Sequence, residues 1–166
     1  MNTALVVGTN NKCITIDSAN KKIKIDNSVV NLMNDFKQLN REDYEAGGIL
    51  IGRENKETGN LIIEYATQPY DKDKRTRISF HRKDKKHIEF YNKLYEDYNG
   101  IYAYIGEWHT HPEDYPNYSC IDINNWRKIS KTNEDKEKIY YHLIVGNKEI
   151  RLWEYKYNFK YAKRIY

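Results

Sequence analysis

His109 and His111 close the stretch Gly106-Glu107-Trp108-His109-Thr110-His111-Pro112, at the end of a strand-like run that begins near Tyr102. On an extended strand, residues i and i+2 project from the same face, roughly 7 Å apart along the chain. Two imidazoles placed this way can converge on one ion. Six residues separate Pro112 from Ser119, and two more separate Ser119 from Asp122, which falls in the first turn of an expected helix. Asp122 can therefore supply an oxygen ligand. Two histidines and one carboxylate leave the fourth tetrahedral position open, the pattern of a catalytic rather than a structural zinc site. A closed structural site needs more cysteines than Cys13 and Cys120. A structural reading of the same residues stands beside this one. An H-x-H pair on a strand can simply line an exposed face, and Ser119-x-x-Asp122 is also a helix-capping box.

The rest of the chain reads as a platform for that unit. Ala4–Val7 predicts a short buried strand and Asn10-Asn11 a turn. Residues 12–17 and 22–25 alternate polar and apolar at period two and predict a hairpin. Asp26 is an N-cap candidate for a helix over 27–39, where Val29, Val30, Leu32, Met33 and Phe36 recur at helical spacing. Ala46-Gly47-Gly48-Ile49-Leu50-Ile51-Gly52 predicts a central strand, and its glycines predict close approach of another backbone. Residues 61–66 return as a strand, and 75–80 predict another. Lys83–Tyr98 predicts an amphipathic helix with Ile88, Tyr91, Leu94 and Tyr95 on its apolar face, stopped by Asn99-Gly100. After the histidine strand come a helix over about 119–130, a strand pair over 139–145 and 150–157, and a last strand or ordered tail over 159–166.

With 166 residues, the chain is long enough for one domain and short for two, so 1–166 is read as a single domain. Hydrophobic residues make up 39% and charged ones 31%, which predicts a globular protein in water. No apolar run approaches the roughly 20 residues of a membrane span. The N-terminus has no basic region and too short an apolar stretch for a secretory signal, so the expected compartment is the cytoplasm. Two distant cysteines make no disulfide framework. Cys120, beside Ser119, reads as a buried or half-buried thiol rather than a nucleophile. A net charge of +4, with basic and acidic residues interleaved, gives little support to nucleic-acid binding.

The order Glu45-Ala46-Gly47-Gly48, then His109-x-His111-Pro112, then Ser119-x-x-Asp122 resembles the H-x-H-P-x6-S-x-x-D pattern of the JAMM (JAB/MPN-type) metalloproteases. The motifs cover residues 45–122, and fitting strands extend the likeness over nearly the whole chain. The resemblance implies an α/β MPN/JAB-like fold, a curved mixed sheet flanked by helices. It implies one zinc ion per chain held by His109, His111 and Asp122, with Glu45 as general base and Ser119 as hydrogen-bond donor to the developing oxyanion. Strand parity alone favours Glu107 as the base, since it shares the face of His109 and His111. The resemblance points to Glu45.

Small bacterial members look like deconjugases of ubiquitin-like proteins, some in anti-phage operons of the cyclic-oligonucleotide (CBASS) type. The implied partner is a protein substrate, either a ubiquitin-like protein or the conjugated C-terminal tail of a nucleotidyltransferase; no membrane partner is expected, and nucleic-acid binding is a distant third reading. Processing of a sulfur-carrier or ubiquitin-like precursor is the second enzymatic expectation. A non-catalytic MPN scaffold is the expectation of another class, and the intact ligand set argues against it. His87 is expected to be solvated, and His142 to pack within or on a strand. Arg75, Arg77, Arg82, Lys83, Lys85 and Lys86 form a local basic patch, either a solvated face or a docking surface for an acidic protein.

Overall fold

The computed structural model describes residues 13–18 and 20–166. The strand expected over Ala4–Val7 and the turn at Asn10-Asn11 lie outside the described residues. The hairpin is present as β1 (Ile14–Ser18) and β2 (Lys21–Ile25), paired antiparallel. Helix α1 (Asn27–Asn34) follows, capped by the Asp26 carboxylate, which accepts a hydrogen bond from Ser28 N–H at 2.9 Å. It ends five residues before the expected boundary. The chain must leave the helix to bury Gln38, whose amide donates to Arg77 O (2.8 Å) and Asp43 O (3.2 Å) and accepts from Thr110 Oγ1 (3.1 Å).

Strand β3 (Gly47–Glu54) runs through the middle of an eight-stranded mixed sheet. Its neighbours are β4 (Leu61–Ala66) and β7 (Ala103–Thr110), both antiparallel to it. Beyond β7 come β8 (Ile139–Val145), β9 (Ile150–Lys156) and the short β10 (Lys163–Arg164). The pairs β2–β4 and β7–β8 are parallel and the rest antiparallel. Residues 47–52 of β3 are buried throughout, because helices cover both sides of the sheet. Helix α1 packs Val29 and Met33 with Leu50, Ile63, Leu143 and Val145 on one face. On the other face, α2 (Lys86–Asp97) sets Leu94 with Ile49 and Ile51, and α3 (Cys120–Thr132) sets Trp126 with Ile144, Trp153 and Tyr155.

Two register shifts bend this centre, at Ile51/Gly52 against β4 and at Leu50/Ile51 against β7. The second puts Ile105 and Trp108, three residues apart, on the α1 side together. Glu107 and His109, flanking Trp108, therefore project from the opposite side. The approach predicted at the glycines is real: a Cβ on Gly48 would run into the carbonyl of Thr67, and one on Gly47 would meet Trp108 O and the Phe80 ring.

Two elements differ from expectation. Residues 75–80 are not one strand but a separate hairpin of β5 (Lys74–Thr76) and β6 (Ser79–His81). Arg77 and Ile78 form its tip, fixed by Arg77 donating to Asn40 O and Arg41 O and by Thr76 Oγ1 bonding Ser79 Oγ at 2.7 Å. Helix α2 starts at Lys86, where Asp84 accepts the Lys86 N–H, and it buries His87 while leaving Ile88 43% and Tyr95 49% exposed. Among the described residues no helix is long and apolar enough to cross a membrane.

Gly48→Ala should therefore lower folding stability by about 3 kcal/mol or more, since the obstructing atom is backbone and cannot rotate away. Chemical denaturation checks this, and a loss under about 0.5 kcal/mol would show that the sheet can spread at this point.

Candidate metal centre

The site forms where the start of β3, the end of β7 and the start of α3 meet. Gly47 pairs with His109, Thr110 N–H donates to Ala46 O at 2.8 Å, and Ala46 N–H donates back to Thr110 Oγ1 at 2.9 Å. His111 continues the extended run just past β7, its N–H donating to Val145 O at 3.0 Å. The two imidazoles thus share a face, with their Nε2 atoms 3.0 Å apart.

Asp122 is returned to them by a pinned loop. Asn147 N–H donates to Glu113 O, and Lys148 and Glu149 N–H donate to Asp114 O. Arg151 donates to Pro116 O and Asn117 Oδ1. A Cβ at Gly146 would strike this loop at Pro116 and the Glu113 and Asp114 carbonyls. Tyr118 then packs against Trp126 and Trp153. Ser119 caps α3 in a reciprocal box: its Oγ accepts from Asp122 N–H at 3.2 Å, and Asp122 Oδ2 accepts from Ser119 N–H at 2.6 Å. The same carboxylate lies 3.1 Å from His109 Nε2 through Oδ1 and 3.4 Å from His111 Nε2 through Oδ2.

These separations test the fit of an ion. Ligand atoms at about 2.0–2.1 Å from a tetrahedral zinc lie roughly 3.3 Å from one another. The imidazole nitrogens lie 3.0 Å apart, and the Asp122 carboxylate presents Oδ1 at 3.1 Å to His109 and Oδ2 at 3.4 Å to His111, spacings close to that value. His109, His111 and Asp122 are all buried and form a group able to hold a metal ion. Burial opposes the charge on Asp122, but the His109 imidazole and hydrogen bonds from both histidines and Ser119 N–H hold its carboxyl well below the usual range. Burial also pushes His109 down, and the Asp122 carboxylate more than reverses this, leaving it raised.

Glu45, 4% exposed, stands just outside the donor set, with Oε1 at 3.9 Å from His111 Nε2. The hairpin fixes its backbone: Glu45 N–H donates to Thr76 O at 2.8 Å and Glu45 O accepts from Arg75 Nε at 2.7 Å. Burial, opposed by His109 and aided by the Asp122 and Glu113 carboxylates, pushes Glu45 up to about 7. Glu107 faces the same cleft but is ion-paired with Arg82, Nε to Oε1 at 2.8 Å.

The basic patch dissolves into separate jobs. Arg75 holds Glu45, Arg77 holds the 40–41 carbonyls, Arg82 holds Glu107 and Lys85 pairs with Glu89. His87 is not solvated. It is fully buried, with Nδ1 at 2.5 Å from Thr67 Oγ1 and Nε2 at 2.9 Å from Asp73 Oδ2. His142 is buried on β8, where burial first and then the His109 charge bring its pKa down to about 3. Cys120, expected to be at least half-buried, is exposed at the first position of α3.

The hairpin and α3 wall the cleft further, with Ile78, Ser79 and Phe80 from the one and Ile121, Asn125 and Trp126 from the other. Asn125 and Trp126 were legible in principle, being three and four residues after Asp122 on one helix face. The hairpin residues carry no such signal.

Two imidazoles and a carboxylate, with Glu45 at their edge, make a buried group that could hold a metal ion. The chain belongs to the prokaryotic homologs of the JAB domain, whose family model matches residues 36–156. It is 36% identical over 140 residues to a CD-NTase/cGAS isopeptidase of Escherichia coli, covering 84% of this chain and 86% of that one. Proteins of the same name from Pseudomonas aeruginosa and Vibrio cholerae are 38% and 32% identical, over 66% and 82% of this chain and 67% and 83% of theirs. The fold is also similar to the solution structure of protein DSY2949 from Desulfitobacterium hafniense. That match has a TM-score of 0.58 and 16% identity, and covers 86% of this chain and 88% of the other.

The raised Glu45 pKa has a measurable consequence in metal-free protein. Between about pH 4.5 and 7 the folded chain keeps a proton that the unfolded chain has released, so the carboxylate opposes folding increasingly as pH rises. Near pH 8, Glu45→Gln should be more stable than wild type by about 1–3 kcal/mol, with this gain absent near pH 4. Denaturation in the presence of chelator measures both. No gain near pH 8 would rule out burial as the cause.

Proposed function

We propose that this chain is a zinc-dependent isopeptidase that hydrolyses the amide bond joining a CD-NTase C-terminus to the protein it is conjugated to, in anti-phage defence. The observation that carries the chemistry is the buried His109–His111–Asp122 group with Glu45 at its edge, 3.9 Å from His111. The substrate assignment is supported by the three relatives named CD-NTase/cGAS isopeptidase.

On this reading His109, His111 and Asp122 hold the zinc. The ion supplies a Lewis acid that lowers the pKa of water to about 7 and, by its charge, favours the ionised form of Glu45. Glu45 takes a proton from the attacking water as the new C–O bond forms. Ser119 Oγ already accepts from Asp122 N–H, which leaves its hydroxyl proton free to donate to the carbonyl oxygen as negative charge develops there. Breaking the C–N bond then returns the proton from Glu45 to the departing amine. Glu107 stays occupied by Arg82 and orders the cleft wall.

Incubation with a purified CD-NTase conjugate should release both partners, as read by intact mass. Chelation should stop the reaction and added zinc restore it. Glu45→Gln should keep one zinc per chain yet lose about 10²–10⁴-fold in turnover. Glu107→Gln should retain most activity. Ser119→Ala should lose about 10²-fold in turnover, at about 1 kcal/mol in stability from the lost cap. An active Glu45→Gln protein beside an inactive Glu107→Gln one would reverse the base assignment. Cleavage indifferent to chelation would refute the metal chemistry. An intact conjugate alongside trimming of a ubiquitin-like precursor would move the substrate to the processing alternative.

A further inference from the structure

His142 is fully buried yet lies outside the donor set. Its ring touches both elements that supply the donors. The β7–β8 ladder pairs Trp108 with Leu143 but goes no further towards residue 142. There the imidazole intervenes, and its Nδ1 accepts the N–H of Glu107 at 3.3 Å. Glu107 is two residues before His109 on the same strand. The flat of the ring lies on Trp126 of α3, with centroids 4.5 Å apart and planes 5° from parallel. Trp126 is four residues after Asp122, one helical turn along the same face. One side chain thus spans from the strand of His109 to the helix of Asp122.

A further observation sets His142 apart from a packing residue. With Nδ1 accepting, the ring proton sits on Nε2, and that buried nitrogen has no hydrogen-bond partner among the described residues. A phenylalanine or leucine would fill the space without an unmet donor, so packing alone does not account for an imidazole. What the imidazole adds is an acceptor at Nδ1, aimed at β7, on a flat ring that also stacks on α3.

We infer that His142 is the positioning residue of the metal centre, a peg that registers β7 against α3 so that the His109 and Asp122 donors meet at ligand distance. The inference rests on the zinc reading above. Its two components can be removed separately. His142→Phe keeps a ring on Trp126 and loses the acceptor. His142→Asn keeps an acceptor near the Nδ1 position and loses the stack. Ile23→Val, in the core beneath α1, provides a destabilised control far from the site.

The experiment measures the zinc dissociation constant of each protein by competition with a chromophoric chelator, on chains shown to be folded by near-ultraviolet circular dichroism. His142→Phe and His142→Asn should each weaken zinc binding by about tenfold or more, and Trp126→Phe by less, while Ile23→Val leaves it unchanged. Wild-type affinity in both folded His142 variants overturns the inference and leaves the zinc reading intact. A wild-type chain that binds no zinc overturns both. Where the variants fail to fold, the long-range proton–nitrogen spectrum of the wild-type histidine ring decides. A neutral ring protonated at Nε2, with and without zinc, supports the peg, and protonation at Nδ1 overturns it.

Discussion

The pairing of Gly47 with His109 is the contact on which the site depends. It joins two strands that are 62 residues apart at that point, and it lets the backbone of β3 lie directly against β7 and Phe80, because residue 47 has no side chain to hold them off. From this one register follow the positions on either side. Ala46 and Thr110 exchange hydrogen bonds, Glu45 comes up beside His111, and His109 is presented across from Asp122. A slip of one residue would turn His109 and His111 to the α1 side and put Trp108 in the cleft. The bulges on either side of β3 bend the sheet around this point and place Trp108 in the core, which fixes Glu107 and His109 on the working face.

The electrostatics follow from enclosing these groups together. Glu45, His109, His111 and Asp122 are all nearly out of water, where charge is costly unless matched. Asp122 has two imidazoles and a backbone N–H to stabilise its charge, so it stays ionised despite burial. Glu45 has none of these within hydrogen-bond reach, and its pKa rises. Two carboxyl groups in one pocket are thereby pushed in opposite directions by their different partners. That split separates a carboxylate that stays ionised, as a ligand must, from one whose proton is exchangeable near neutrality. Above neutral pH the Glu45 carboxylate opposes folding, and its backbone bonds to the hairpin hold it in place.

Much of this was legible in the chain. The period-two alternation of 14–25, the apolar run of β3, the return strand β4 and the pair β8–β9 all appear where local pattern puts them. The convergence of His109, His111 and Asp122 could be read because metal coordination constrains residue type and spacing together, and the structure brings these three into one group. Several of the failures share a cause: a long-range polar partner that no local period announces. Helix α1 stops early because Gln38 bonds Arg77 and Thr110. Helix α2 buries His87 rather than Ile88 because Thr67 and Asp73 satisfy both ring nitrogens. Parity placed Glu107 on the correct face, but parity cannot see Arg82, just past β6, reaching over to occupy it.

The capping box at Ser119 and Asp122 shows why structural and catalytic readings of one motif need not compete. A cap requires an acceptor at the first position and a carboxylate at the third, held in a fixed relation by two hydrogen bonds. A metal site requires a carboxylate whose orientation does not wander. In Asp122 the same group meets both demands: Oδ2 closes the cap on Ser119 N–H while Oδ1 faces His109. Closing the cap uses the lone pair of Ser119 Oγ and spares its proton, so the serine is also oriented, with its donor still available. The helix start is therefore rigid because it is capped, and the site gains a fixed ligand from that rigidity.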